Sequence, residues 1–241
     1  MCCFCGGLSV ATTEDHWPPR SFFRNRAWPE GFVFPACESC NKTSCSSEQV
    51  IGLLLHGSHD GHDRAAFQRV IKGVRQDFPE VFEKLFPSSG RERRNMLRKS
   101  GIEKPAGVTL SEIPMVNLPM KVWKPHFDML ARKMMLALHY QAFGAPLSKQ
   151  GLIWHTVHTN ADKKSEEYLH EFLQVANIKV SPLRAKKSLA DQFELLWQFD
   201  ADRKTAVWAF AFHRRLAFTG VTTEDSKSPF HSEQKVQRNF E

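Results

Sequence analysis

All six cysteines of this 241-residue chain fall within its first 45 positions. Four of them form two CxxC pairs, Cys2-Cys3-Phe4-Cys5 and Cys37-Glu38-Ser39-Cys40. Each pair can aim two thiolates at one ion, and two pairs complete the tetrahedral shell of a structural Zn²⁺. Clustering of this kind points to metal in a reducing compartment, where scattered cysteines in a secreted chain would point to disulfides. Cys2, Cys5, Cys37 and Cys40 are therefore the expected zinc ligands. Cys3 lacks the spacing to Cys5 that Cys2 has, and Cys45 is a spare thiol.

The stretch between the pairs is longer than a zinc ribbon needs and leaves room for a loop with its own chemistry. It contains Glu14-Asp15-His16-Trp17-Pro18-Pro19-Arg20, and the second pair runs directly into Asn41. Asp15 offers a hard carboxylate and Asn41 a hard carbonyl oxygen, a donor set suited to Mg²⁺ or Mn²⁺. His16 points away from Asp15 if this stretch is extended, and its ring is suited to proton transfer near neutral pH.

CxxC, then DHxPP, then PACxxCN in that order resembles the HNH (ββα-metal) endonuclease family. The resemblance is to the subgroup in which four cysteines hold zinc beneath the active site, as in phage Holliday-junction-resolving endonucleases, and it covers roughly the first quarter of the chain. It implies a metal-dependent DNA endonuclease in which Asp15 and Asn41 hold the catalytic cation and His16 is the general base. The expected products carry a 5′-phosphate and a 3′-hydroxyl. Where the family often has a central asparagine that orients the histidine, this chain has Glu30-Gly31-Phe32-Val33-Phe34, which leaves that task to a backbone group. Arg20 is a candidate contact to the scissile phosphate. Two other readings compete: a non-catalytic zinc module that binds nucleic acid or protein, and a phage-defence effector nuclease gated by a signal.

The expected fold is α+β. A zinc-stapled ββα-metal module occupies residues 1–60, a helical and basic connecting region residues 61–120, and an α+β region for substrate or partner recognition residues 121–241. Phe67, Val70, Ile71, Val74 and Phe78 recur at helical spacing, as do Phe127, Leu130, Ala131, Met134, Met135 and Leu138, with Asp128, Arg132 and Lys133 outside that second stripe. A further helix is expected around Leu169–Ala176. Phe193–Phe199, Thr205–Phe212 and Leu216–Val221 read as an antiparallel β-meander.

The net charge of +7 is unevenly distributed. Residues 1–60 carry four basic and six acidic side chains, so the attraction for DNA is expected from later segments. Arg93, Arg94 and Arg98, in the run from Arg91 to Lys104, are the first candidates, and the C-terminal β-region the second. An excised 1–60 fragment is expected to fold on zinc yet bind DNA weakly. His56, His59 and His62 lie in a glycine-rich stretch that gives no helical face, and read as a solvated turn. No apolar run suits a membrane span and no signal peptide is read, so the expected setting is cytoplasmic, with DNA as partner, no membrane, and a protein partner or homo-oligomer as a further option.

Overall fold

In a computed structural model, residues 1–56, 64–85, 87–100, 103–104, 106–110, 118–159, 178–180, 182–213 and 216–225 are described. Strands β1 (Thr13–His16) and β2 (Val33–Ala36) open the chain, followed by helices α1 (Glu38–Thr43), α2 (Cys45–His56), α3 (Arg64–Asp77), α4 (Pro79–Leu85), α5 (Gly90–Ser100) and α6 (Met120–Phe143). Strands β3 (Leu152–Thr159), β4 (Ile178–Val180), β5 (Leu183–Arg184), β6 (Lys187–Ser188), β7 (Phe193–Asp200), β8 (Thr205–Phe212) and β9 (Leu216–Thr223) complete it. The fold is mixed α+β with antiparallel sheets. The helix expected around Leu169–Ala176 lies outside the described residues.

Strands β1 and β2 pair antiparallel, with Asp15 opposite Phe34 and His16 opposite Val33. Five strands form the main sheet in the order β3-β9-β8-β7-β4, antiparallel at every step. The meander read from the sequence is its centre, and β3 joins at the outer edge of β9. Ring stacking fills one face: Phe210 lies 4.9 Å from Phe218 and Phe193 5.2 Å from Phe212, centroid to centroid.

Helix α6 runs through the middle of the molecule. Eight of the nine residues from Ala131 to His139 are buried, the half-buried Arg132 being the exception, so protein surrounds this stretch on every side. Helix α2 packs on one flank and strands β3, β8 and β9 on another. A periodic stripe marks a helix that faces one layer, and here the helix serves two. Lys133, read from the sequence as outside the apolar stripe, is therefore buried. Gly220 on β9 allows the close approach, because a Cβ there would collide with Met135 Cε and the Trp154 carbonyl. The helix stops where expected, at a left-handed Gly144 whose N–H donates to the Tyr140 carbonyl at 2.8 Å.

The segment between the first two strands reaches across to the sheet. Phe22 meets Phe212 at 5.4 Å, while Phe23 and Phe32 meet Phe193 at 6.2 and 5.8 Å. Backbone bonds lock the contact: Arg24 N–H donates to Gln192 Oε1 and His213 Nε2–H to the Phe22 carbonyl. One continuous core thus extends from Cys2 to Phe218.

The basic run after Pro87 is more regular than the connecting region expected there. It forms the 11-residue helix α5. Glu92 N–H donates to Ser89 Oγ while Ser88 N–H donates to Glu92 Oε2, a reciprocal arrangement that starts a helix despite the flanking glycine and proline.

Candidate functional site

Cys2, Cys5, Cys37 and Cys40 converge, with their four sulfurs within 4.8 Å of one another. A tetrahedron with Zn–S bonds of about 2.3 Å has sulfurs about 3.8 Å apart, so the cluster is of the size that one zinc ion requires. Gly6 and Gly7, both at positive φ, turn the chain after the first pair, and Gly7 N–H donates back to the Cys2 carbonyl. Cys3 N–H donates to the Pro35 carbonyl and so ties this loop to β2, while Cys37 caps α1 and Cys40 lies in its first turn. Burial raises the Cys2 and Cys40 thiols above their ordinary range, whereas Cys37 is lowered by the Cys40 backbone N–H. A bound cation would reverse the burial effect by stabilising the thiolates. Cys3 is buried but outside the cluster, and Cys45 is exposed.

Above the cluster, alternation along β1 sends Asp15 inward and His16 to the other face. Asp15 Oδ2 accepts from Trp17 Nε1 at 2.9 Å and from Lys133 Nζ at 2.7 Å. Lys133 also donates to the Cys40 carbonyl and to Ser44 Oγ, each at 2.8 Å, and its ammonium lies 4.6 Å from the Trp17 ring and 4.7 Å from that of Phe4. Three oxygens and two aromatic faces satisfy a cation with almost no exposure.

Asn41, in α1, packs back on β1: its Nδ2 donates to Thr13 Oγ1 at 3.1 Å and to the Glu14 carbonyl at 3.3 Å. Among the described residues, neither Asp15 Oδ1 nor Asn41 Oδ1 accepts a hydrogen bond. Both are hard oxygen donors of the type that divalent cations such as Mg²⁺ take.

His16 has a different environment. Arg20 donates through Nη2 to His16 Nε2, and because a guanidinium can only donate, the neutral ring keeps its proton on Nδ1. The Trp28 ring stands edge-to-face at 5.3 Å. Burial, aided by the Arg20 charge, lowers the His16 pKa. The expected backbone group that orients this ring is absent from the described contacts, and Arg20 and Trp28 take its place.

Trp28 is a junction that sequence reasoning missed. The guanidinium carbon of Arg20 lies 3.8 Å from its ring centroid and that of Arg184 lies 4.0 Å away. Lys133 was missed as well, and its one visible mark is its place directly before the apolar run from Met134 to Leu138. Glu48 lies in the first turn of α2, where it accepts from Ser44 Oγ, and burial raises its pKa. His56 ends α2 with its Nε2 bonded to the Ser21 carbonyl, and His59 and His62 lie outside the described residues. Arg93 donates to the Leu110 carbonyl, and Arg94 and Arg98 are exposed on α5.

Comparison with family models, curated proteins and solved structures yields no match for this chain. No helix among the described residues is long and apolar enough to cross a membrane.

Proposed function

We propose that the protein is a divalent-metal-dependent endonuclease of HNH type that hydrolyses DNA phosphodiester bonds. The observation that carries this reading is the approach of Asn41 to β1, beside Asp15 and His16, over a four-cysteine cluster. Asp15 and Asn41 would hold the cation, which when bound would supply Lewis acidity to the phosphoryl and leaving oxygens. Lys133 and Trp17 fix Asp15 by its other oxygen, so its free oxygen is presented in one orientation.

His16 takes the proton of the attacking water on Nε2. That lone pair is held by Arg20 until a phosphate oxygen, a better partner for a guanidinium than a neutral imidazole, draws Arg20 away. Substrate arrival and base release are then the same event. Trp28 keeps the ring in place throughout.

A second reading, a zinc-stabilised binding module without catalysis, is favoured by the same hydrogen bond, since a histidine capped by arginine is inert. A plasmid-nicking assay with Mg²⁺, Mn²⁺ or EDTA separates the two. The nuclease reading expects metal-dependent nicking by the intact chain and none by His16→Ala with zinc retained, whereas intact plasmid in every lane favours the binding module.

A further inference from the structure

The short hairpin β5–β6 carries Arg184, Lys186 and Lys187 in six residues. Its two turn residues, Ala185 and Lys186, adopt φ of 48° and 64°, the left-handed region that a tight two-residue hairpin turn demands. Neither is glycine, so each is held there against a steric penalty. The holding contacts come from the segment between β1 and β2. Glu30 N–H donates to the Leu183 carbonyl at 2.9 Å, and Ala185 N–H donates to Glu30 Oε1 at 2.9 Å. Arg184 stacks on Trp28, the ring that also touches His16 and Arg20.

We infer that this hairpin is a nucleic-acid backbone clamp, binding phosphates that flank the one addressed by His16. The inference rests on the nuclease reading for which phosphate is cleaved, but the binding it describes does not depend on cleavage. Arg184 and His16 both contact the Trp28 ring, at 4.0 and 5.3 Å from its centroid. Lys186 and Lys187 are exposed beyond it. Among the described residues no ion pair engages any of the three, and the nearby carboxylate of Glu30 accepts from a backbone N–H. The Arg184 guanidinium lies over the Trp28 ring, and its planar fork of N–H donors is the group that pairs with phosphate oxygens. The arrangement also explains how a segment with net negative charge gathers a polyanion: cations from residue 184 onward are brought to its surface.

The test uses the full chain carrying His16→Ala, which cannot cleave if His16 is the base, and a 30-base-pair DNA duplex titrated over a range of salt concentrations. Lys186→Gln with Lys187→Gln is expected to lower the slope of log K against log salt by about 2, and adding Arg184→Met by nearly 3. Zinc content and melting temperature are expected to stay at the parent values. The exposed lysine pair keeps the test valid if Arg184→Met disturbs the Trp28 stack. Slopes equal to that of the parent, or a parent that does not bind the duplex, overturn the clamp. Failure of the nuclease reading is seen separately, as plasmid left intact by the unsubstituted chain.

Discussion

Lys133 of helix α6 and Asp15 of strand β1 form an ion pair, Nζ to Oδ2 at 2.7 Å, across 118 residues of sequence. Side-chain exposure is 4% for Lys133 and 11% for Asp15. Removing one partner of such a pair leaves the other charged and desolvated, which typically costs about 3–5 kcal/mol. Lys133→Met is expected to lose stability of that order in urea unfolding. Lys133→Met with Asp15→Leu together should recover much of it, because both charges leave the interior. Equal stability of Lys133→Met and the unsubstituted protein would show that the pair contributes nothing.

Zinc is expected at one ion per chain by elemental analysis. Cys37→Ser removes one ligand and should release most of the metal, with a fall in melting temperature, because the free energy of metal binding contributes to folding. Cys45→Ser, outside the cluster, should change neither quantity.

On the proposed nuclease reading, the acid limb of kcat/KM reports on His16 in the free protein, before phosphate draws Arg20 away. Its pKa is lowered by burial and by Arg20. The ring therefore stays neutral, and able to accept a proton, below the ordinary histidine value of about 6.5. Activity at saturating Mg²⁺ is expected to hold through that pH and to fall only below it. Arg20→Gln removes the cationic part of the shift and should move the limb to higher pH, a displacement that a purely structural role for Arg20 would not produce.

His139 governs a separate acid effect on stability. It is buried beside Thr222, its Nδ1 lies 3.0 Å from Thr222 Oγ1, and burial lowers its pKa from 6.5 to about 4. Between those values the unfolded chain binds a proton that the folded chain does not. Stability present above pH 6.5 is thus lost as pH falls toward 4, by up to about 3 kcal/mol. His139→Gln should flatten the urea-unfolding free energy across that window.

The sequence was legible where a local rule decides. The cysteine spacing located the cluster, alternation located β7, β8 and β9, and Gly144 located the end of α6. The Asp15-His16 alternation was equally local. Lys133 was not legible, since a helix buried between two layers has no solvent face and offers a lysine no periodic position from which it looks buried. Trp28 and Arg184 were not legible either, because they meet only when the β5–β6 hairpin docks on the segment before β2. The same tertiary contacts reverse the expectation for an excised 1–60 fragment: without Phe193 and Phe212 it exposes Phe22, Phe23 and Phe32, and without Lys133 it leaves Asp15 unpaired. Such a fragment should bind zinc yet give a broad, non-cooperative melt.

The continuity of the core has a consequence for the order of events during synthesis. The cysteine cluster and the β1–β2 hairpin emerge from the ribosome before Lys133, the Gln192 and Phe193 contacts and the Phe212 ring, the last of which lies 172 residues beyond Cys40 (212 − 40). At roughly 5–20 residues per second, that is a delay of up to about 9–34 seconds. During it the nascent chain can hold metal at its cysteines while Asp15 has no counter-ion and the segment bearing Arg20 and Trp28 has no sheet to rest on. A site built this way is completed only by segments that follow it in the chain, so a chain truncated before them would hold zinc at its cysteines while Asp15 stayed unpaired.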